Sequence, residues 1–491
     1  MNHDYLGLAR ALLPELALVV GVLIVLGFDL LTGKGKSREE RQRSAAMLGG
    51  LAVVAAAAQV ALVGPAGEVF GGVFMLDVLG LFTRLGVLLL ALLALTLAPG
   101  TVRFRHPAEF VAVVLCATAG FTLMAVAQQL LVIFLAIELA SISLYILAGF
   151  DKSRPESAEA ALKYFLFGGM AAAFLLFGFS LLYGLTGSIE LPAIAAALTA
   201  GTHGPLLTVA LVMVLVAFGF KAAAAPFHLW APDVYQGAPP AATALIASAS
   251  KFAGATVFVR LLWPGLGPAA GRFEAPLESA GWLTVVVLLV LASLLLGNLV
   301  ALAQTNVRRL LAYSAIAHAG IMLLAMMVAG VAGVGPLMYY ALTYGLATVG
   351  SFGVIGLVDR AGGCQSIADL AGLHRRSPLL AGVLLIYLLS LAGVPPLAGF
   401  FGKFAVLVEA LAVGGPWTPV GALAILAIAL SAVALYYYLI VLKQALVAGP
   451  APSAARIVVP ADVAVPLVVA AGLLLALGVW PAAVMNLFQG S

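Results

Sequence analysis

Five ionisable side chains stand in stretches that are otherwise apolar. Glu138 lies in Phe-Leu-Ala-Ile-Glu-Leu-Ala-Ser, Lys221 follows Phe-Gly-Phe, and Lys251 lies in Ala-Ser-Ala-Ser-Lys-Phe-Ala-Gly. His318 ends Tyr-Ser-Ala-Ile-Ala-His, and Lys403 follows Gly-Phe-Phe-Gly. A charge at the centre of a membrane-spanning helix costs about 2.5–3.5 kcal/mol on insertion scales, and such residues mark ion or proton paths. Carboxyl, amine and imidazole groups can exchange a proton, whereas a guanidinium stays charged. All three central bases are Lys. A dry pocket favours the neutral amine, and a nearby carboxylate favours the ammonium. A changing separation between Glu138 and Lys221 would therefore switch Lys221 between holding and releasing a proton. The chemistry these types suggest is proton transfer along a polar line, with Lys221 as switch, Glu138 as its counter-charge, and Lys251, His318 and Lys403 as further members of the line. His228, after Pro226 and Phe227, is a further candidate relay. Lys163 and Glu109 lie close to helix ends, where snorkelling to the surface is the default; Lys163 is kept as a candidate.

The elements that hold these groups must be membrane helices. Of 491 residues, 64% are apolar and 9% charged, with a mean hydropathy of +1.16. A soluble domain is about half apolar and about a quarter charged, so a soluble enzyme is excluded. Disorder is excluded too, since it needs low hydrophobicity. The net charge of +4 is not gathered into the basic face that a nucleic acid requires. Cys116 and Cys364 stand alone and indicate neither a disulfide framework nor a metal site. No phosphate loop, dinucleotide fingerprint or His-x-x-x-His pair occurs. The driving energy must come from an ion gradient or a partner subunit.

Apolar runs of the roughly 20 residues that cross a bilayer predict fourteen helices, near 11–32, 44–63, 77–98, 109–126, 128–149, 158–184, 205–235, 240–263, 280–303, 306–329, 334–358, 378–412, 418–444 and 462–484. The expected fold is an all-α polytopic membrane protein. The seventh and twelfth runs exceed one span and contain Pro, so they read as broken helices. Pro226 would leave the carbonyl of Ala222 free to bind water beside Lys221, and Pro395 and Pro396 would do the same upstream of Lys403. Most of the 24 Lys and Arg fall on one side: Lys34, Lys36, Arg38, Arg41 and Arg43, then Arg103 and Arg105, Lys152, Arg154 and Lys163, Arg308 and Arg309, Arg360, Arg375 and Arg376, and Lys443 and Arg456. By the positive-inside rule that side is cytoplasmic, and both termini are periplasmic.

An internal repeat underlies the order of features. Leu-Lys-Tyr-Phe at 162–165 and Leu-Met-Tyr-Tyr at 337–340 each open a Gly- and Ala-rich helix. Each follows a helix with one central ionisable residue, Glu138 or His318, and precedes a broken helix with a Lys. The units would be helices 4–8 and 9–13, inverted because each has an odd number of spans, as in many ion transporters. This divides the chain into 1–108, three N-terminal helices; 109–263 and 280–444, the two repeats; and 445–491, a C-terminal helix. Asp77 and Arg84, two turns apart on the third helix, read as a structural pair. Tyr436–Tyr438 read as an interfacial belt.

Several segments resemble a known family. Ala-Pro-Phe-His-Leu-Trp-Ala-Pro-Asp-Val-Tyr-Gln-Gly-Ala-Pro at 225–239 is similar to the signature of subunit N of bacterial respiratory complex I. So are the segments from Gly149 to Gly168 and from Leu310 to Gly320; Pro240-Ala241-Ala242 departs from the family's usual Thr-Pro-Val. The resemblance covers nearly the whole chain. It implies an inner-membrane, antiporter-like, proton-translocating subunit of NADH–quinone oxidoreductase, a translocase, related to Mrp cation/proton antiporter subunits. It also implies proton-transfer roles for Glu138, Lys221, Lys251 and Lys403. On that reading this chain binds no cofactor or metal itself; NADH, FMN, iron–sulfur clusters and quinone belong to partner subunits. The partners would be other membrane subunits of the complex, neighbouring antiporter-like subunits above all, and the bilayer, with no nucleic acid. A subunit of an Mrp-type Na⁺/H⁺ antiporter, or a structural subunit whose charges only lock helices, are the alternatives.

Overall fold

The computed structural model describes residues 4–101, 104–201, 204–450 and 455–488; Arg103, counted above among the basic loop residues, lies outside the described residues. Among the described residues the regular structure is helical apart from the hairpin of Gly67–Val69 and Phe74–Leu76. Among the described residues, thirteen helices are long and apolar enough to cross a membrane: Leu13–Thr32, Arg38–Val63, Val78–Thr101, Pro107–Met124, Leu130–Ala148, Pro155–Thr186, Pro205–Ala222, Pro240–Gly265, Trp282–Leu302, Val307–Ala332, Gly335–Arg360, Pro419–Leu446 and Ala461–Val479. A further crossing, before Pro419, is divided into Pro378–Ala392 and Ala398–Gly414. Numbered in chain order, these are spans 1–14, with the divided one as span 12. Span 7 continues past its break as Trp230–Gly237. The chain is thus an all-α polytopic membrane protein, with spans 7 and 12 broken.

Local signals set the starts. Proline, which lacks an N–H and suits the first turn of a helix, opens spans 4, 6, 7, 8, 12 and 13. Span 2 starts at Arg38, earlier than the expected 44. A capping box pairs the Ser37 side chain with the Glu40 backbone and the Glu40 carboxylate with the Ser37 N–H. Arg38, Arg41 and Arg43 therefore ride on the helix and not in the preceding loop.

Burial sorts the spans. The most apolar window of span 11 is 100% buried, that of span 8 94%, and that of span 1 only 22%. The outer spans expose apolar side chains such as Leu23, Leu31, Leu62, Leu135, Phe177 and Val468. So large an apolar surface suits lipid or a partner subunit. Spans 8, 10 and 11 form the interior, and Lys251 and His318 sit there.

The expected Asp77–Arg84 pair does not form. Arg84 Nη2 bonds Glu15 Oε1 of span 1 at 3.0 Å, with both side chains buried. Asp77 accepts from the Gly80 N–H at 2.7 Å and pairs with Arg260, at the end of span 8, at 2.5 and 3.0 Å. Asp77 caps the first turn of span 3, while Arg84 lies two turns deeper, so each finds a partner at its own depth. Cys364, in the loop after span 11, is fully buried. Burial pushes its thiol up to about 12.

Candidate proton-transfer site

Lys221 stands in the last turn before the break in span 7. The helix ends at Ala222, and Ala223 takes a left-handed conformation with φ +58°. Most of the freed backbone groups find local partners, while the Ala222 carbonyl, expected to be freed by Pro226, has none among the described residues. Ala224 N–H bonds the Gly219 carbonyl at 2.8 Å, and Ala225 N–H bonds Ser293 Oγ of span 9 at 2.9 Å. The Trp230 indole donates to the Phe220 carbonyl at 3.1 Å. Gly219 makes room for the returning chain, since a Cβ there would stand 2.6 Å from the Phe227 ring. Lys221 itself is buried; among the described residues its Nζ makes one hydrogen bond, to Ser141 Oγ at 3.2 Å, and lies 6.0 Å from the centre of the Phe121 ring. Ser141 is one turn after Glu138 on span 5. Glu138 is half-buried and makes no ion pair with Lys221, yet both line one cavity of about 20 Å³ with Ser141.

Lys251 and His318 meet through span 10. Lys251, fully inside span 8, donates to the Ala315 carbonyl at 2.7 Å and lies 5.6 Å from the centre of the Tyr344 ring. A second cavity of about 20 Å³ is lined by both Lys221 and Lys251. One turn beyond Ala315, His318 is held by two phenols, Nδ1 to Tyr340 at 2.6 Å and Nε2 to Tyr438 at 3.2 Å. Tyr438 also bonds Ser314. A neutral imidazole donates from one nitrogen and accepts at the other, and a phenol can serve either.

At the second break the lysine follows the gap. Pro378–Ala392 ends at Gly393, left-handed with φ +84°, and Lys403 lies on the following half-helix. Its ammonium reaches back to the carbonyls of Leu391 at 2.8 Å and Ala392 at 3.2 Å. The carbonyl end of a helix attracts cations, so the ammonium itself occupies the acceptors at the break, where bound water was expected. Gly399 is required here, because a Cβ would stand 1.9 Å from the Ser390 carbonyl. Lys403 shares a cavity of about 10 Å³ with His318, Asn298, Ser431 and Tyr437.

The structure thus brings Glu138, Lys221, Lys251, His318 and Lys403 into one buried series. Three small cavities lie along it, and a space of about 10–15 Å³ holds one water. Three other candidates lie elsewhere. His228 is buried edge-on to Tyr313 with its Nδ1 unpartnered, and lines none of the three cavities. Lys163 belongs to a cluster nearer the surface, at 2.6 Å from both Glu159 and Asp233, with Arg309 also 2.6 Å from Asp233. Glu109 pairs with His106 at 3.2 Å on the exposed start of span 4.

The expected tyrosine belt is corrected. Tyr436 is 60% exposed, but Tyr437 and Tyr438 are buried, one on Asn298 Oδ1 and the other on His318. A helix turns 100° per residue, so three consecutive tyrosines cannot share one face. Ser141, Tyr340 and Tyr344, which touch Lys221, His318 and Lys251, gave no signal of their own in the sequence. Among the described residues no group of three or more His, Cys, Asp or Glu could hold a metal ion.

Comparison with known proteins places the chain. The family model for the transmembrane region of NADH:quinone oxidoreductase and Mrp antiporter subunits matches residues 127–431. NADH-quinone oxidoreductase subunit N 2 of Acidobacterium capsulatum is 45% identical, over 98% of this chain and 99% of its own. Subunit N 1 of Roseiflexus castenholzii is 36% identical, over 98% and 96%. A chain of respiratory complex I from Thermus thermophilus with bound Aureothin matches with TM-score 0.80 and 36% identity, over 98% of this chain and 100% of that one. A chain of the Mrp complex from Dietzia reaches TM-score 0.81 at 22% identity, which is a likeness of fold alone. The chain belongs to the NADH:quinone oxidoreductase/Mrp antiporter family of membrane subunits, in its subunit N branch.

Proposed function

We propose that this chain is a proton-translocating membrane subunit of NADH–quinone oxidoreductase, a translocase whose electron transfer takes place in partner subunits. The observation that carries the reading is the series from Glu138 to Lys403, single-proton carriers in which small cavities join Glu138 to Lys221, Lys221 to Lys251 and His318 to Lys403, while Lys251 meets the His318 helix at the Ala315 carbonyl. The gap between Glu138 and Lys221 also supports it. A pair that only locked helices would be closed, since a buried charge left without its partner is costly. Lys221, with a single hydroxyl partner, can respond to a small change in the field at Glu138. A proton lost from Lys221 can cross the shared cavity to Lys251. The next carrier is His318, one turn beyond the Ala315 carbonyl that Lys251 bonds, and a water between the two would complete the transfer; His318, held by phenols that can donate or accept, shares the last cavity with Lys403. Neighbouring membrane subunits would carry the electrostatic change to Glu138, which is half-buried at the edge of the bundle.

The two broken spans and the order of the buried groups support two inverted repeats, 109–263 and 280–444, between the helices of 1–108 and the last helix of 445–491. The basic residues gathered at one set of helix ends support an orientation with that side cytoplasmic and both termini periplasmic, in a bacterial inner membrane.

The test is to purify the chain in mild detergent with whatever accompanies it and to assay the particle for NADH oxidation by quinone. Flavin and iron–sulfur subunits with that activity support the proposal. A particle of antiporter subunits alone, with sodium-dependent and NADH-independent proton exchange, would replace it with the Mrp reading.

A further inference from the structure

A separate cavity, of about 400 Å³, opens where spans 2, 3, 11 and 14 end. It is far larger than the cavities of the buried series, and its wall carries three guanidiniums. Arg43 lies in the second turn of span 2, Arg360 ends span 11, and Arg456 lies in the stretch leading to span 14. Two carboxylates face them. Asp462 is 3.3 Å from Arg43, and Glu39 is 3.1 Å from Arg360, which also holds the Pro99 carbonyl at 2.5 Å. Arg456 has no ion-pair or hydrogen-bond partner among the described residues, so the cavity carries a surplus positive charge. The Arg43–Asp462 pair is about half exposed, and exposed pairs contribute little; it can be given up to a better ligand.

The position of the cavity says what that ligand is. The lining comes from the ends of spans 2, 3 and 11 and from the stretch that leads into span 14, which places it at the depth where lipid headgroups meet the spans. The outer faces of spans 2 and 14 beside it expose Met47, Leu51, Val465 and Val468, and Val458, at its rim, is 81% exposed. We propose that the cavity binds the phosphate of an anionic phospholipid, with the acyl chains laid along these apolar faces. Guanidinium recognises phosphate through paired, charge-assisted hydrogen bonds, and basic pockets between span ends suit such headgroups. The seated lipid ties the N-terminal helices, through spans 2 and 3, to spans 11 and 14. The inference is independent of the proton path.

Photoactivatable phosphatidylglycerol and phosphatidylcholine, incorporated in turn into vesicles that hold the whole complex, test it. The expected result is labelling of peptides around 455–463 by phosphatidylglycerol, severalfold above phosphatidylcholine. Arg43→Gln with Arg456→Gln should lower it severalfold, while Arg456→Lys retains most of it. Equal labelling by the two lipids overturns the assignment of an anionic ligand. Complete suppression by inorganic phosphate makes the site one for free phosphate and overturns the lipid. Absence of labelling, in a complex that still oxidises NADH, means that a partner subunit fills the cavity and overturns the proposal.

Discussion

In span 7 the chain turns left-handed at Ala223, in span 12 at Gly393, and the two turns are closed by the same bonds. Ala223 and Ala224 donate to the carbonyls of Phe220 and Gly219, and Gly393 and Val394 donate to those of Ser390 and Leu389. Beyond that, the halves part. Lys221 precedes its turn, whereas Lys403 follows its own, as far past Gly393 as Asp233 is past Ala223. The half-helix after the first turn has 8 residues, and the one after the second has 17. Asp233 therefore joins Lys163 and Arg309 near the surface, while Lys403 stays in the bundle and folds back on its break. A neutral indole, from Trp230, satisfies a carbonyl at the first break; at the second the ammonium does so. The difference teaches that Lys221 is left to its proton, held by one hydroxyl and set across a cavity from Glu138. Lys403 both carries charge and closes a helix end.

The comparison can be broken by substitution, and the largest effect falls on Lys403. Lys403→Ala leaves two buried carbonyls without their donor. It should abolish proton pumping and also cost about 1–3 kcal/mol, read as a lower yield of assembled complex and earlier thermal dissociation. Lys221→Ala should abolish pumping while assembly stays near wild type, because Ser141 can turn its hydroxyl to its own helix. Equal assembly in the two variants would erase the distinction between the breaks.

The glycines sharpen it further. Gly399→Ala sets a methyl against a backbone carbonyl that cannot move alone, and should cost about 1–3 kcal/mol or more. Gly219→Ala meets only the Phe227 ring, a side chain that can swing aside, and should cost less; thermal dissociation of the two complexes ranks them. Trp230→Phe removes the indole donor and should cost about 1 kcal/mol, measured in the same way. The smallest effect is at Cys364. With its thiol held near 12 by burial, it should stay unlabelled by maleimide at neutral pH until the complex unfolds.

What could be read from the sequence follows from what a membrane does to a chain. Lipid forces each span to be long and apolar, so the spans, both breaks and the isolated ionisable residues stood out from composition and Pro placement alone. Partners that meet only in the folded bundle did not. Asp77 and Arg84 lie on one helix, but their ion pairs reach to spans 8 and 1, which no local spacing reveals. Tyr436–Tyr438 looked alike in sequence, and only the rotation of span 13 sends one outward and two onto Asn298 and His318. The carbonyl clamp on Lys403 was hidden for a similar reason. It depends on the half-helix returning across the break, and the clue was the tight approach at Gly399.

The central claim is that Lys221 works by releasing its proton, and the most direct measurement is the number of protons pumped per NADH oxidised by vesicles carrying Lys221→Arg. A guanidinium keeps its charge where an amine can lose it. The account predicts an assembled complex that still passes electrons from NADH to quinone while the pumped ratio falls. A wild-type ratio in that variant would contradict it.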